Sequence, residues 1–386
     1  MQVDVAILGA GAAGLCCAIG CGRRGRSVLL IDHGRKIARK VLASGGGRAN
    51  CTNEDIVPAD YVCGNPHFVK SALARLPSRE FLDWIHGGGV ATRVEDAGKH
   101  FCTGGAISLV RFLEANARKV GAQFMLGASI AAARKDGDGF AVDTDAGTVR
   151  AGSLVLALGG KSWPGLGATD FGYALARSFG LAVTPLLPGL TPLLAGPDMA
   201  GFCQELSGVS LPVVIRGQGE AVGSLLFTHK GVSGPAVLDA SMFWRQGATL
   251  AIDFLPGVDL EAVLAEAPRL EIKNALARVL PKRLAGEVAQ KLALSGPVAG
   301  LSPKARRELA DKLAAFPFTP GKAEGYAKAE VTIGGVDTAA ISSKTLEATR
   351  VPGLYVVGEL LDVTGRLGGF NLHWAYASGF AAGESA

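Results

Sequence analysis

Apolar positions in this chain appear first as short unbroken runs and only later as helical stripes. Val5-Ala6-Ile7-Leu8 and Val28-Leu29-Leu30-Ile31 are continuous rather than alternating, the pattern of strands covered on both faces in a parallel sheet. Between them lie Gly9-Ala10-Gly11-Ala12-Ala13-Gly14 and a stretch of small residues, so the spacing predicts strand, glycine turn, helix and strand, closed by an acid at Asp32. Farther on, Phe68, Leu73, Leu76, Phe81, Leu82 and Ile85 form one stripe and predict a helix over 66–86. The stretch 90–101 reads as extended, and 106–121 as an amphipathic helix ending at Gly121. Strand-like runs at 122–133, 140–144 and 148–158, separated by turns, predict a meander beside the parallel sheet, and 165–180 predicts another helix.

Pro185, Pro188, Pro192, Pro197 and Pro212 mark a departure from the first domain. Residues 193–254 alternate in short runs between glycine turns and predict a small antiparallel sheet or barrel. Residues 259–315 turn helical, with breaks at Pro268, Pro281, Pro297 and Pro303. From 329 the glycine-punctuated apolar character returns: 351–359 predicts a strand ending on Gly358-Glu359, and Gly368-Gly369 opens a last helix through Ala382. The fold class is therefore α/β, a Rossmann-like nucleotide-binding domain closed by both chain ends. Its expected boundaries are 1–188 with 327–386, around a β-rich, barrel-like domain at 189–258 and a basic helical domain at 259–326.

The glycine turn carries the first chemistry. Gly9 permits the tight turn, Gly11 lets a pyrophosphate approach the backbone, and Gly14 lets the helix lie against the sheet. Free amides at the helix start and the helix dipole favour the phosphates. Asp32 follows Gly14 by eighteen residues, where a carboxylate can accept from a ribose diol. The uncharged stretch 5–22 is long enough to raise a membrane span or signal peptide. Asp4 precedes it, no basic region leads it, and glycines fill it, so a buried strand-helix unit is the better reading.

Composition narrows the class. At 386 residues the chain suits two or three domains, and 48% hydrophobic content with 54 glycines excludes disorder. Seven scattered cysteines without a CxxC indicate neither a zinc site nor a thioredoxin-like disulfide, and no metal site is expected. With no export signal, a reducing cytoplasm is the expected location. The net charge is only +5, but 269–328 holds twelve Lys or Arg against five acids, an excess of +7. Such a segment suits an anionic partner such as RNA, and equally a solvated helical face.

Two further loops have the composition of ligand contacts. Lys40, Ser44-Gly45-Gly46-Gly47-Arg48-Ala49-Asn50 and Thr52-Asn53 combine three glycines with many side-chain donors, and Leu158-Gly159-Gly160-Lys161-Ser162 ends a strand at a second backbone approach.

Together with Leu226 to Pro235, Ala329 to Thr332, Gly334-Gly335-Val336 and Gly358 to Leu372, these motifs give the chain its resemblance to the BaiN/RdsA-like bacterial flavoproteins. These are two-dinucleotide-binding-type FAD proteins that include enzymes reducing carbon–carbon double bonds in bile-acid intermediates and in a uracil of ribosomal RNA. The match runs nearly end to end. It implies noncovalent FAD at the turn Gly9, Gly11, Ala12, Ala13 and Gly14, with its pyrophosphate on Gly11 to Gly14, its AMP ribose on Asp32, and its ribityl chain on Glu359. His33, Lys40, Gly46, Gly47, Arg48, Asn50, Gly159, Gly160, Gly358, Asp362, Gly369, Asn371 and Leu372 complete the implied cofactor site. The last helix, starting near Asn371, would point its positive end at the flavin pyrimidine.

The resemblance further implies hydride transfer to an activated C=C of a small cyclic enone or of uracil in RNA, with NAD(P)H as transient reductant, although no second GxGxxG is present. Proton-donor candidates are His229, in the turn Thr228 to Pro235, then Cys51 and Cys102. Three departures from the family pattern stand out: Asp32 replaces the usual Glu, Ala49 replaces the Cys of many relatives, and His100-Phe101-Cys102 replaces a Phe-Pro stretch. Two rival functions stay open on the residues, a flavin oxidase of amines or alcohols, and an RNA- or ribosome-binding flavoprotein whose FAD is structural.

Overall fold

A computed structural model describes residues 1–386, which divide into two compact units, Met1–Leu187 with Val331–Ala386, and Pro188–Glu330. In the first unit, strand β1 (Gln2–Leu8), helix α1 (Ala12–Arg23) and strand β2 (Val28–Asp32) follow the predicted order. β1 pairs in parallel with β2, Leu8 opposite Ile31, and with the long strand Gly147–Leu156, Leu8 opposite Leu156. Gln123–Leu126 extends the sheet beyond β2, also in parallel.

The strand 147–156 serves two partners along one edge. Its first half pairs antiparallel with Gly139–Thr144 and so begins the meander, which Ile130–Asp136 completes. Its second half pairs in parallel with Leu354–Val356 near the chain end, Leu156 opposite Val356. Leu8, Asp32, Leu156 and Val356 therefore finish at one carboxyl edge, the side where open parallel sheets hold ligands.

The core is built from α1, which is buried over Ala12–Cys21, and the last helix, Phe370–Gly383. Their glycines let the backbones touch: a Cβ built on Gly379 would lie 2.3 Å from the Ala13 carbonyl oxygen, and one on Gly20 2.9 Å from the Gly383 Cα. Cys16, Cys17 and Cys21 pack in this seam, fully buried.

The single helix expected over 66–86 is two, Lys70–Arg75 and Ser78–Gly87, because Pro77 between them cannot continue the first. The extended stretch 90–101 is a hairpin of Thr92–Glu95 and Lys99–Cys102, turned by Ala97 and Gly98 at positive φ, and it pairs with Asn50–Asn53.

The second unit is an antiparallel sheet ordered 316–318, 250–253, 210–216, 220–228, 231–233, 193–195, 320–323. Its two outermost strands, Phe316–Phe318 and Pro320–Ala323, are consecutive in the chain with only Thr319 between them. One continuous segment thus supplies both edges, and the sheet curls into a barrel-like closure.

This alters the expected three-domain division. The helices of 259–315 share one hydrophobic core with the sheet, joining Phe227, Phe254 and Phe316 to Leu264, Leu284 and Leu313. A separate helical domain does not form, because neither layer buries its apolar face alone and the two edge strands lie beyond the helices in the chain. No helix of either unit is long and apolar enough to cross a membrane.

Candidate functional site

The three glycines of the first turn do different work. Gly9 has φ +108°, and a Cβ there would sit 2.3 Å from the Ala157 carbonyl oxygen; one on Gly14 would sit 2.0 Å from the Gly9 carbonyl oxygen. Both are required by packing. A Cβ on Gly11 would meet nothing within 4 Å, so a cradle lies open there, beside the first-turn amides of α1 that have no acceptor within the helix. This is the shape and chemistry a pyrophosphate needs.

Asp32, at the tip of β2, already holds that turn: its carboxylate accepts from the Ala10 amide at 2.8 Å and the Gly34 amide at 2.7 Å. Arg39 stands 3.9 Å from it and binds His33 Nε2 at 2.8 Å. The acid expected on a ribose therefore also anchors the glycine turn to the second strand.

Glu359 is the hub of a half-buried network drawn from distant parts of the chain. Lys40 Nζ donates to Glu359 Oε2 at 2.5 Å and to Ser162 Oγ at 2.8 Å. Ser162 Oγ donates to Glu359 Oε1 at 3.1 Å, which also accepts from the Thr332 amide at 2.9 Å. Thr332 Oγ1 in turn accepts from the Lys161 amide at 2.8 Å. A Cβ on Gly160 would lie 2.6 Å from both Glu359 Oε1 and Thr332 Oγ1, so that glycine makes the cluster possible. The carboxylate expected on a ribityl chain is thus engaged by protein donors through both oxygens. Ser162 and Thr332 lie within the motifs of the sequence yet are not among the expected site residues; a strand-end Gly-Gly with a hydroxyl two residues away is the available signal.

The glycine-rich loop runs left-handed through Gly45, Gly46 and Gly47, at φ +56°, +66° and +86°, with open space beside Gly46. Arg48 turns away from it, pairing with Glu95 at 2.6 Å and stacking 4.2 Å over Phe101. Asn50 leads the strand 50–53, which packs against the start of the last helix: a Cβ on Gly369 would meet the Thr52 backbone at 2.5 Å.

Asn371 ties that helix start to its loop, accepting from the Gly365 amide at 2.8 Å and donating to its carbonyl at 2.7 Å. Thr52 Oγ1 lies 2.9 Å from His373 Nδ1, and His373 Nε2 donates to the Leu76 carbonyl at 2.8 Å. Burial depresses His373 to about 4, so it stays neutral in this chain of bonds. Gly159, Gly358 and Leu372 lie at the same sheet edge and helix start, and the Asp362 amide bonds the Val336 carbonyl at 3.0 Å.

The proton-donor candidates are placed very differently. Cys51 and Cys102 touch each other and are 0% and 2% exposed, with Cys51 Sγ also donating to the His100 carbonyl at 3.3 Å. That contact, with burial, pushes the Cys51 thiol up, while the same contact holds Cys102 below the ordinary range. His229 belongs to the second unit, exposed in the turn between 220–228 and 231–233, which Thr228 Oγ1 braces through Lys230 and Gly231.

Comparison with known proteins places this geometry. The family model described as HI0933-like protein Rossmann domain matches residues 3–385. The chain is 44% identical over 394 residues to the ribosomal RNA dihydrouridine synthase of Escherichia coli (strain K12), covering 99% of this chain and 98% of that protein. It is 29% identical over 402 residues to the 3-dehydro-bile acid delta(4,6)-reductase of Clostridium scindens, covering 99% and 98%. Among solved structures it is similar to the 3-ketosteroid-delta4-(5alpha)-dehydrogenase of Rhodococcus jostii RHA1, with a TM-score of 0.51, 16% identity and 100% and 96% coverage, a likeness of fold.

Proposed function

Because the chain belongs to the HI0933-like Rossmann family and is an FAD-dependent oxidoreductase, we propose that it reduces an activated C=C bond, with a uracil of ribosomal RNA as substrate. The observation that carries this reading is the 44% identity, over essentially the whole of both chains, to a ribosomal RNA dihydrouridine synthase. FAD, when bound, would supply the two-electron chemistry that an enone or uracil ring needs at its electron-poor carbon.

The chain's own residues support that use. The cradle at Gly11 and the first-turn amides of α1 receive the pyrophosphate. The turn itself is held rigid by Asp32, whose remaining acceptor capacity would serve a ribose. Lys40, Ser162 and Thr332 hold Glu359 in one orientation, so a bound cofactor would meet a preformed carboxylate rather than a mobile one. The open loop at Gly46 and the start of the last helix, fixed by Asn371, complete the pocket with bare backbone and a positive helix end. His229 remains the candidate donor of the proton that completes the saturated bond. NAD(P)H is the reductant and the cytoplasm the site of action in this reading.

Purified holoenzyme is incubated with NADH or NADPH and ribosomal RNA from a strain lacking the corresponding gene, and the digested nucleosides are weighed by mass spectrometry. Appearance of a uridine heavier by two hydrogens is expected. A protein that reduces its flavin and yet leaves every uridine unchanged would remove RNA as substrate. The 29% relative makes a steroid-like cyclic enone the next compound to assay.

A further inference from the structure

The positive charge of 269–328 is not one surface, and the structure sorts it. Three of its cations are matched by carboxylates: Arg278 with Glu266 at 3.1 Å, Arg307 with Glu261 at 3.5 Å and Lys304 with Glu308 at 3.9 Å. Two more are held by backbone carbonyls, Arg283 on Glu205 and Ser207, and Arg306 on Val298 at 3.3 Å. The other seven are exposed and have neither kind of partner, among them Arg269, Lys273 and Lys282.

These three lie on consecutive segments that pack on one another. The turn 296–300 is clamped to the segment carrying Arg269 by the Val298 amide on the Leu270 carbonyl at 2.9 Å and the Ala299 amide on the Pro268 carbonyl at 2.8 Å. On its other side the Ile272 amide bonds the Gly296 carbonyl at 3.1 Å, which sets Lys273 next to the turn. The short helix Ile272–Leu276 buries Ile272, Ala275 and Leu276 and leaves Lys273 outward. It packs on the helix Lys282–Lys291, which buries Leu284, Ala285 and Val288 and leaves Lys282 outward at its start. From Lys273 to Gly286 the sequence has four cations and no acid. Gly296 and Gly300 leave open space where side chains would stand, so the turn beside Arg269 and Lys273 exposes backbone at both of its ends.

We infer that Arg269 and Lys273, beside the turn 296–300, and Lys282, at the start of the adjoining helix, form the surface on which the phosphate backbone of a structured RNA docks. The inference rests on the reading of ribosomal RNA as substrate and adds the contact that would present it. Unpaired, exposed cations near accessible backbone suit phosphates, which need charge and close approach but no shaped pocket. Cations already matched by carboxylates release no counterions from RNA and contribute little.

The test measures binding of holoenzyme to a labelled large-subunit ribosomal RNA transcript by fluorescence anisotropy across a salt series. The triple variant R269Q/K273Q/K282Q is compared with the double variant K304Q/R307Q, which removes paired charges of the same segment. Each phosphate-neutralising cation adds about 0.7 to 0.9 to the salt exponent. The triple variant should therefore lose about 2 from the slope and at least about tenfold in affinity, with unchanged flavin content and unchanged kcat at saturating RNA. The double variant should change less than about twofold.

A triple variant that binds like the parent, or a double variant that weakens as much, overturns the surface. Polyglutamate bound as tightly as RNA also overturns it and points to an acidic protein instead. Dihydrouridine formation with an unchanged KM in the triple variant sinks the docking surface and leaves the proposed function standing. RNA binding that follows the predicted slopes without any dihydrouridine does the reverse.

Discussion

Replacing Gly11 and Gly14 separates folding from cofactor binding within one turn. In Gly14→Ala the new Cβ would lie 2.0 Å from the Gly9 carbonyl oxygen, more than 1 Å inside contact, and that oxygen belongs to backbone that cannot rotate away. Overpacking of this kind costs about 1–3 kcal/mol or more. In Gly11→Val the backbone is extended at φ −82° and the Cβ meets nothing within 4 Å. The effect on the apoprotein should then stay within about 1 kcal/mol, the usual range for a helix-cap change.

The valine does fill the cradle. Loss of two amide-to-phosphate hydrogen bonds at about 1.5 kcal/mol each corresponds to about 100-fold weaker FAD binding. Chemical denaturation of apoprotein, without and with FAD at 100 times the parental Kd, reads both effects. FAD should stabilise the parent by about 2.7 kcal/mol and Gly11→Val by only about 0.4 kcal/mol. Gly11→Val protein that takes up FAD like the parent, or that unfolds as readily as Gly14→Ala, would refute the assignment of these glycines.

Further outcomes follow from the rest of the site. Lys40→Met leaves Glu359 without its cation and should lower stability by about 1–2 kcal/mol; adding Glu359→Gln should recover part of that, with a coupling above about 0.5 kcal/mol in a double-mutant cycle of urea melts. His373, depressed to about 4 against an ordinary 6.5, is neutral when folded and binds a proton more readily when unfolded. Stability should therefore be full above pH 6.5 and fall by about 2 kcal/mol on lowering the pH to about 5, a slope that His373→Asn should flatten in the same melts. Cys51→Ala and Cys102→Ser should each keep turnover within about tenfold, less than the 10²–10⁴ of an acid catalyst, because neither thiol reaches solvent. His229→Gln should keep its flavin and its melting curve while losing about 10²-fold or more in kcat if the ring delivers the proton; wild-type turnover would dismiss it.

What the sequence determined by itself was local. The strand, turn, helix and strand of 2–32 could be read because burial on both faces makes an unbroken apolar run, and because a turn that close to a strand tolerates only glycine. The fold class, the meander and the last helix followed from the same two periodicities. Pro77, which divides the predicted helix over 66–86, was legible too and was outweighed by the stripe of Phe and Leu around it.

Only the tertiary structure decided what distant residues do to one another. Lys40 and Glu359 are 319 positions apart and meet because 354–356 pairs with the second half of a strand whose first half belongs to the meander. Nothing in a single segment's period specifies that choice of edge. Likewise Phe316–Phe318 and Pro320–Ala323 look like the tail of a helical region but are the two edges of one sheet, and that makes the helices and strands a single unit. Charge shows the same limit: composition counts twelve cations, whereas their usefulness depends on which carboxylates and carbonyls the fold has already brought to them.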